Sequence, residues 1–325
     1  MAAARRRLVS VTALVGAAVV LLLLLPVWLP IAVVVDLVRG RFRLPIARLL
    51  AFGLCWAWLE TCGITVAAVL WLTGRRRDTG AHYRLQQWWA ARLMSALGAT
   101  TGLRFETPGA AALTPGPVVL LCRHASLADS LLSAWVITTS AAMDPRYVLK
   151  RELLADPCLD VVGNRLPNHF LDREATDSSA ELAALRDLAA GLTDSQVAVI
   201  FPEGTRASAA KRARAMARIQ ERQPERAARL DGLRHLLPPR PAGAAALVAG
   251  HPTADVVVAW HVGFDGLDTF GGILRHLATR PRTVEFHARR IPRSEVPDPE
   301  QGEAFTRWLD DAWLEADRDV ARLLA

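Results

Sequence analysis

Apolar runs of two lengths divide the chain. Two long runs lie near the N-terminus, from Leu8 to Val35 and from Leu49 to Thr73, and short runs alternate with helix-like stretches from about residue 100 onward. Long uncharged runs are typical of membrane-directed helices, and short runs between helices are typical of an α/β sheet. The pattern therefore predicts a membrane-anchoring helical hairpin over residues 1–76 and an α/β domain over residues 77–325.

The α/β domain is predicted to contain a mixed, largely buried sheet flanked by helices, because several of its strands are apolar throughout. The predicted strands are Leu103–Glu106, Val118–Cys122, Tyr147–Leu149, Phe170–Leu171, Val197–Phe201, Val256–His261 and Val284–His287. The predicted helices lie around Leu127–Ser140, Ser178–Leu192, Ala207–Arg222, Leu267–Thr279 and Glu300–Leu324.

The two N-terminal runs depart from a simple pair of membrane spans. The first is long enough for a ~30 Å hydrocarbon core, but Pro26 and Pro30 interrupt it, and Glu60 lies within the second. Arginines flank both ends of both runs, so the positive charges favour no orientation for two spans. We expect a hairpin that dips into one leaflet and keeps its arginines near the headgroups; two full spans are the alternative.

Composition narrows the class of partner. The chain has 325 residues, 52% of them hydrophobic, and a formal net charge of +7 from 39 Lys+Arg against 32 Asp+Glu. This balance favours a phospholipid surface, a nucleic acid or phosphorylated small molecules. No nucleic-acid-binding motif accompanies the charge, so we expect a phospholipid membrane and no nucleic acid. The four cysteines form no C-x-x-C pair, so neither a zinc site nor a disulfide framework is predicted.

The first candidate site follows a predicted strand. Val118–Cys122 ends at His124, and Asp129 follows five residues later, in the first turn of the predicted helix. At this spacing the carboxylate holds one imidazole nitrogen and leaves the other to accept a proton; a purely structural hydrogen bond is the alternative. Ser126 lacks the G-x-S-x-G context of a nucleophile, and Cys122 is expected to pack in the core. The nucleophile is therefore expected on the substrate, as a hydroxyl group.

The second candidate site also follows a strand. Val197–Phe201 ends at Pro202, and the next four residues read Glu203-Gly204-Thr205-Arg206. An arginine, a hydroxyl and backbone N–H groups near a helix N-terminus are the parts of a phosphate-binding site. The alternative is a capped turn with a surface Arg–Glu pair.

These residues carry a resemblance to a known family. H-x-x-x-x-D at a strand end, followed about eighty residues later by F-P-E-G-T-R, resembles the 1-acylglycerol-3-phosphate acyltransferase (lysophosphatidic acid acyltransferase) family. Lys150-Arg151-Glu152-Leu153 and Phe170-Leu171-Asp172-Arg173 are similar to that family's K-x-E-L and F-I-D-R blocks. Residues 235–243 and 255–259, with Trp308, Trp313 and Asp317, resemble the branch that includes lysocardiolipin-type acyltransferases.

The resemblance implies a glycerolipid acyltransferase-like fold and a role for each matching residue. His124 is implied as the general base, and Asp129 as the residue that orients it. The residues implied to bind the phosphate of the acceptor and shape the site are Lys150, Arg173, Glu203, Gly204, Thr205 and Arg206. No metal or cofactor is implied; acyl-CoA or acyl carrier protein is the co-substrate.

The function implied by the resemblance is transfer of an acyl chain to the free hydroxyl of 1-acyl-sn-glycerol-3-phosphate, giving phosphatidic acid for phospholipid synthesis. The enzyme would act at the cell membrane, with its catalytic domain on the cytoplasmic face. The alternatives are another lysophospholipid acceptor, a phosphorylated glycolipid acceptor, or a non-catalytic lipid-binding membrane protein of the same fold.

Two features depart from the family pattern. Arg123 stands where an asparagine usually precedes the histidine, which predicts either a lowered pKa of His124 or an additional phosphate contact. The distance from Gly163 to Phe170 is also longer than usual, which predicts a local insertion containing Asn164–His169.

Overall fold

The computed structural model describes residues 2–172, 178–264, 267, 269–279 and 282–325. Within these residues the strands are β1 (Arg104–Glu106), β2 (Val118–Cys122), β3 (Asp144–Lys150), β4 (His169–Leu171), β5 (Gln196–Ile200), β6 (Asp255–Val262) and β7 (Thr283–Ile291). The helices are α1 (Ala2–Leu23), α2 (Leu25–Val38), α3 (Pro45–Leu72), α4 (Thr79–Thr101), α5 (Asp129–Trp135), α6 (Pro157–Val161), α7 (Ser178–Ala190), α8 (Ala209–Arg222), α9 (Pro224–Leu230), α10 (Pro241–Gly250), α11 (Phe270–Ala278) and α12 (Gly302–Leu324).

The seven strands of the described chain form one mixed sheet in the order β1-β7-β6-β2-β5-β3-β4. β2 pairs in parallel with both β5 and β6, and β3 pairs in parallel with β5, whereas β6 and β7 are antiparallel. All five residues of β2 are buried, as expected for a central parallel strand. The prediction of a mixed, largely buried sheet flanked by helices is confirmed.

The core explains why the apolar runs become strands. The side chains of β2, β5 and β6 on one face of the sheet pack in a single cluster with those of α7, α10 and α12. Trp313 and Phe305 are the largest fully buried side chains of this cluster. Helix α12 is amphipathic because its apolar residues recur at helical spacing, so one face enters the core and the other faces solvent.

The chain separates into two compact units that differ from the predicted division at residue 76. One unit comprises residues 1–105, 150–168 and 269–283, and the other comprises residues 106–149, 169–268 and 284–325. The first unit therefore contains the N-terminal helices, α4, α6 and α11. The second contains most of the sheet together with both candidate sites. These are called below the first corner, which contains His124 and Asp129, and the second corner, which begins at Glu203.

The first unit has an apolar outer surface. Helices Ala3–Leu23 and Pro45–Leu72 are long and apolar enough to cross a membrane, judged by length and composition. Large side chains remain exposed along these helices and the loop between them, among them Leu23 at 70%, Phe42 at 80% and Leu72 at 74%. Exposed apolar surface on this scale is typical of a membrane-binding or protein-binding face.

The first N-terminal run forms two helices instead of one. The helix is interrupted at Leu24. Pro26 lies in the first turn of α2, where its missing N–H leaves no hydrogen bond unmade. Asp36 of α2 is fully buried, and its Oδ2 accepts hydrogen bonds from the backbone N–H groups of Ile46 and Ala47. This carboxylate therefore caps α3 from a neighbouring helix.

Candidate active site

The sheet topology brings three strand ends together. Because β2 lies between β5 and β6 and is parallel to both, the carboxyl ends of all three strands meet at one edge. His124 follows β2, Glu203 follows β5, and His261 is the second-last residue of β6. An edge of this kind is where α/β proteins commonly place reactive side chains.

The predicted His–Asp pair is formed. Nδ1 of His124 lies 2.9 Å from Oδ2 of Asp129, which is the first residue of α5 and is buried. Since the carboxylate accepts this hydrogen bond, Nδ1 carries the proton and Nε2 is the nitrogen that can receive one. The ring of His124 also lies against that of Phe201, with 4.9 Å between the ring centroids. The side chain of His124 is 15% exposed, so it remains accessible to a substrate.

The chain between His124 and α5 wraps around the Asp129 carboxylate. Among the described residues four groups donate hydrogen bonds to it, namely His124 Nδ1, the backbone N–H groups of Ala125 and Ser126, and the Ser126 hydroxyl. Burial alone raises the pKa of Asp129, but the neighbouring His261 and the hydrogen bond from His124 outweigh it and hold that pKa well below its usual range. Ser126 thus supports the aspartate.

The second corner holds His124 by its backbone. Glu203 is buried, and its Oε1 accepts a hydrogen bond from the backbone N–H of His124 at 3.0 Å. Its Oε2 accepts one from the N–H of Leu237 at 3.2 Å, and the N–H of Ala207 donates to the carbonyl of His124 at 2.7 Å. Both backbone groups of His124 are therefore bonded to residues 203–207. The two motifs are parts of one structure.

Glu203 is an acid with a weakened tendency to ionise. Burial raises its pKa to about 8, although the backbone N–H of His124 and the charge of Arg123 act in the opposite direction. At neutral pH this group carries a proton in most molecules. Its two oxygens are engaged with the backbone, and its implied contact with a substrate stays a prediction.

The remaining residues of the second corner form a compact turn. Gly204 has φ of 70°, a left-handed conformation that favours glycine, and its N–H donates to the carbonyl of Phe201. Lys211, in the first turn of α8, donates from Nζ to the Thr205 hydroxyl at 3.3 Å and to the Arg206 carbonyl at 3.0 Å. Lys211 was not predicted from the sequence; its proximity depends on the turn of the chain into α8.

Arg123 is buried at the strand end. Its side chain is 3% exposed, and its guanidinium Nη1 donates to the backbone carbonyl of His261. Its backbone N–H donates to the carbonyl of Ala259, which continues the parallel pairing of β2 with β6. The arginine that departs from the family pattern therefore joins two strand ends through its side chain and its main chain.

Cys122 lies in the core, as expected. It is 1% exposed, and burial raises the pKa of its thiol well above the usual value. A protonated, buried thiol is a poor nucleophile. This environment supports the expectation that the attacking group comes from the substrate.

The implied roles of two further phosphate-binding residues, Lys150 and Arg173, stay predictions. Lys150 is the last residue of β3 and belongs to the first compact unit, whereas His124 belongs to the second. Arg173 lies outside the described residues. His169, at the end of the predicted insertion, pairs through Nε2 with Glu181 at 2.7 Å on the neighbouring helix α7. Convergence of Lys150 and Arg173 with Arg206 stays a prediction.

Sequence reasoning missed one histidine of the site. Nε2 of His261 lies 3.1 Å from Oδ1 of Asp129, on the opposite side of the carboxylate from His124. The available signal was the one that identified His124, an ionisable residue at the end of an apolar run. His261 was assigned to the last position of its predicted strand without a role in the site, and its distance from Asp129 in the sequence concealed the contact.

The C-terminal helix supports the second corner. Asp317 of α12 is buried and accepts hydrogen bonds from the backbone N–H groups of Arg234, His235 and Leu236 at 2.7–2.8 Å. The next residue, Leu237, donates to Glu203. A line of hydrogen-bonded groups therefore connects α12 with the backbone of His124.

The chain is similar to proteins that transfer acyl groups. Residues 104–261, just under half of the chain, match the model of the acyltransferase family and include both corners and His261. The structure is also similar to the crystal structure of the 1-acyl-sn-glycerophosphate (LPA) acyltransferase PlsC from Thermotoga maritima. That similarity has 15% sequence identity and a TM-score of 0.48, over 80% of this chain and 94% of that chain. No curated protein matches the sequence significantly. The family match supports acyltransferase activity.

Proposed function

We propose that this protein is a membrane-bound acyltransferase that moves an acyl chain from a thioester donor to the free hydroxyl of a lysophospholipid. Acyl-CoA or acyl carrier protein is the donor, and 1-acyl-sn-glycerol-3-phosphate is the expected acceptor. The observation that carries the proposal is the set of hydrogen bonds that fix His124. Asp129 accepts one from its Nδ1, and residues of the second corner bond to its backbone N–H and carbonyl. A base fixed in this way is suited to activating a hydroxyl group.

The proposed reaction needs no nucleophile from the protein. Nε2 of His124 removes the proton from the acceptor hydroxyl as its oxygen attacks the thioester carbonyl carbon. The tetrahedral intermediate then collapses, the C–S bond breaks, and the imidazolium returns the proton to the sulfur of the departing thiol. The products are a diacyl phospholipid and the free thiol. Asp129 stabilises the imidazolium while it exists, as in catalytic triads.

The phosphate of the acceptor is assigned to the second corner. Arg206 offers a planar guanidinium, and Lys211 lies within hydrogen-bonding distance of the Thr205 hydroxyl and the Arg206 carbonyl. A lysine and an arginine contributed by the same corner favour a dianionic or monoanionic phosphate over a neutral headgroup. Lys150 and Arg173 are proposed to add further contacts, as the family resemblance implies.

Membrane attachment is assigned to the first unit. Nε of Arg48, near the start of α3, donates to the carbonyl of Thr100, and Nη1 of Arg165 donates to the carbonyl of Ala67 near the end of that helix. Because both ends of α3 are tied to neighbouring segments of the same unit, we propose that the hairpin dips into one leaflet of the cell membrane. The catalytic corners would then act at the cytoplasmic face.

A thiol-release assay tests the function. Purified wild-type protein in lipid nanodiscs is incubated with acyl-CoA or acyl carrier protein and a panel of lysophospholipids and phosphorylated glycolipids, and products are identified by mass spectrometry. We expect diacyl product, greatest with lysophosphatidate, and loss of product in His124→Ala. A matched control is His251→Ala, in the turn that precedes β6, which should retain full activity. Full activity in a folded His124→Ala protein, or lipid binding without thiol release, would refute the proposal.

A further inference from the structure

His261 is a buried histidine directed at the proposed catalytic pair. It is 1% exposed, and its Nε2 lies 3.1 Å from Oδ1 of Asp129. Neither of its ring nitrogens makes a hydrogen bond of full geometry within the described part of the chain. A buried polar group without such a bond costs stability, so the presence of a histidine at this buried position requires an explanation.

The backbone of His261 is fixed in place. The guanidinium of Arg123 donates to the His261 carbonyl, and β6 pairs with β2 as far as Ala259, two residues earlier. Its ring packs in an edge-to-face arrangement with that of Phe264, with 5.5 Å between centroids. Strand pairing, the arginine and the aromatic contact together restrict where the imidazole points.

The carboxylate of Asp129 is contacted on both oxygens. Oδ2 receives His124 and the backbone N–H groups of Ala125 and Ser126, whereas Oδ1 receives the Ser126 hydroxyl and faces His261. A carboxylate held at one oxygen only can rotate about its Cβ–Cγ bond, which changes the direction of the hydrogen bond to His124. Contacts at Oδ1 oppose this rotation.

We propose that His261 is a positioning residue for the His124–Asp129 pair, acting through Oδ1 of Asp129. This inference rests on the proposed acyl transfer. An N–H at Nε2 of His261 attracts Oδ1 and keeps Oδ2 directed at Nδ1 of His124. Since His261 acts on the base and does not touch the acceptor, its removal should lower kcat and leave KM unchanged.

Three substitutions of His261 test the role of the Nε2–H group. The amide nitrogen of Gln reaches about as far as imidazole Nε2, whereas that of Asn is shorter and Leu has no donor. We expect His261→Leu and His261→Asn to lower kcat about tenfold, a loss of about 1.4 kcal/mol of transition-state stabilisation. His261→Gln should recover most of that loss. If His261→Leu fails to fold by circular dichroism, the Gln and Asn variants decide, because both are polar.

A double-mutant cycle separates positioning from a purely structural role. If His261 acts through Asp129, then His261→Asn should have little further effect on kcat in an Asp129→Asn protein. Additive losses, equal kcat values for Gln and Asn, or an unchanged kcat in His261→Leu would each overturn the inference while leaving wild-type acyl transfer intact. A wild-type protein that transfers no acyl chain to any acceptor would instead overturn the proposed function and this inference with it.

Discussion

Asp129 and Glu203 are both buried carboxylic acids at neighbouring strand ends, yet their environments drive ionisation in opposite directions. Asp129 accepts four hydrogen bonds among the described residues and lies between two histidines. Glu203 accepts bonds from two backbone N–H groups, those of His124 and Leu237. The pKa of Asp129 is held well below its usual range, whereas burial raises that of Glu203 to about 8.

The difference shows that the neighbours of a buried acid, more than its burial, decide its charge. Both side chains are almost fully buried, at 1% and 2% exposure, so the cost of removing them from water is similar in kind. Histidines beside Asp129 offset that cost with charge and hydrogen bonds; backbone amides beside Glu203 do so only in part. Asp129 is therefore suited to stabilising the imidazolium of His124. Glu203 is suited to holding the backbone of His124 in place.

The largest expected effect comes from removing the charge of Asp129. Asp129→Asn keeps the size of the side chain but replaces the anion that stabilises protonated His124. We expect kcat to fall by about 10²–10⁴-fold, the usual value of general-base assistance. Steady-state thiol release measures the loss. Asp187→Asn, on an exposed position of α7, is the matched control and should leave kcat unchanged. A kcat within twofold of wild type in Asp129→Asn would contradict the assignment.

Removing Glu203 should lower both stability and kcat. The fall in kcat should be smaller than that caused by removing the charge of Asp129. Glu203→Ala leaves the N–H groups of His124 and Leu237 without their acceptor, at about 1–3 kcal/mol for each buried group. We expect lower stability in urea unfolding and about a tenfold loss of kcat, because His124 loses one of its backbone anchors. Glu203→Gln keeps a carbonyl acceptor and should lie between Ala and wild type. Equal stability of the Ala and Gln variants would contradict the bracing role.

Much of the fold was predictable because its signals are local. All seven strands of the described residues were predicted, and the bounds of β2 were predicted without error, since a continuous apolar run ending in charged residues marks a buried strand. The five helices predicted in the α/β domain were located to within a few residues at most ends, whereas α9 and α10 were not predicted. The split of the first N-terminal run at Leu24 was missed, although Pro26 marks the first turn of the second helix. The short helix α6 was missed because five residues give no periodicity.

The site was predictable only as far as its local motifs reached. The His124–Asp129 contact follows from five residues of sequence separation, and the structure forms it. The contact of His261 with Asp129 depends on the order of strands in the sheet, which the sequence pattern did not specify. The same is true of Asp317, which was noted for its resemblance alone and supports residues 234–236 from the last helix.

A smaller effect is expected at the side chain that joins α8 to the second corner. Lys211→Met keeps most of the length of the side chain and removes the charged donor to Thr205 and Arg206. We expect a rise of about two- to fivefold in KM for the lysophospholipid with little change in kcat, because the phosphate loses uniform binding. Arg218→Met, on the exposed face of the same helix, is the control. A fall in kcat at constant KM would place Lys211 with the base instead of the phosphate.

The smallest expected effect is a pH dependence of stability that distinguishes the two acids. Because folding raises the pKa of Glu203 from an ordinary value near 4.5 to about 8, the folded protein keeps a proton that the unfolded chain loses between these values. The contribution of Glu203 to the unfolding free energy is therefore complete below pH 4.5 and lost as the pH rises through 8. Asp129 behaves oppositely: its contribution is present above its ordinary pKa range and lost as the pH falls below it.

Urea unfolding from pH 3 to pH 9 measures the contributions of Glu203 and Asp129 to the unfolding free energy. Glu203→Gln should flatten the decline in unfolding free energy between pH 5 and pH 8, where a single proton contributes a slope of at most about 1.4 kcal/mol per pH unit. Asp129→Asn should narrow that window only slightly, because the charge of Asp129 is the smallest cause of the raised pKa of Glu203, and should flatten the acid side below about pH 4. If the two variants shift the same window, the opposite ionisation of the two carboxyl groups is wrong, and so is the division between the acid that carries charge and the acid that braces the backbone.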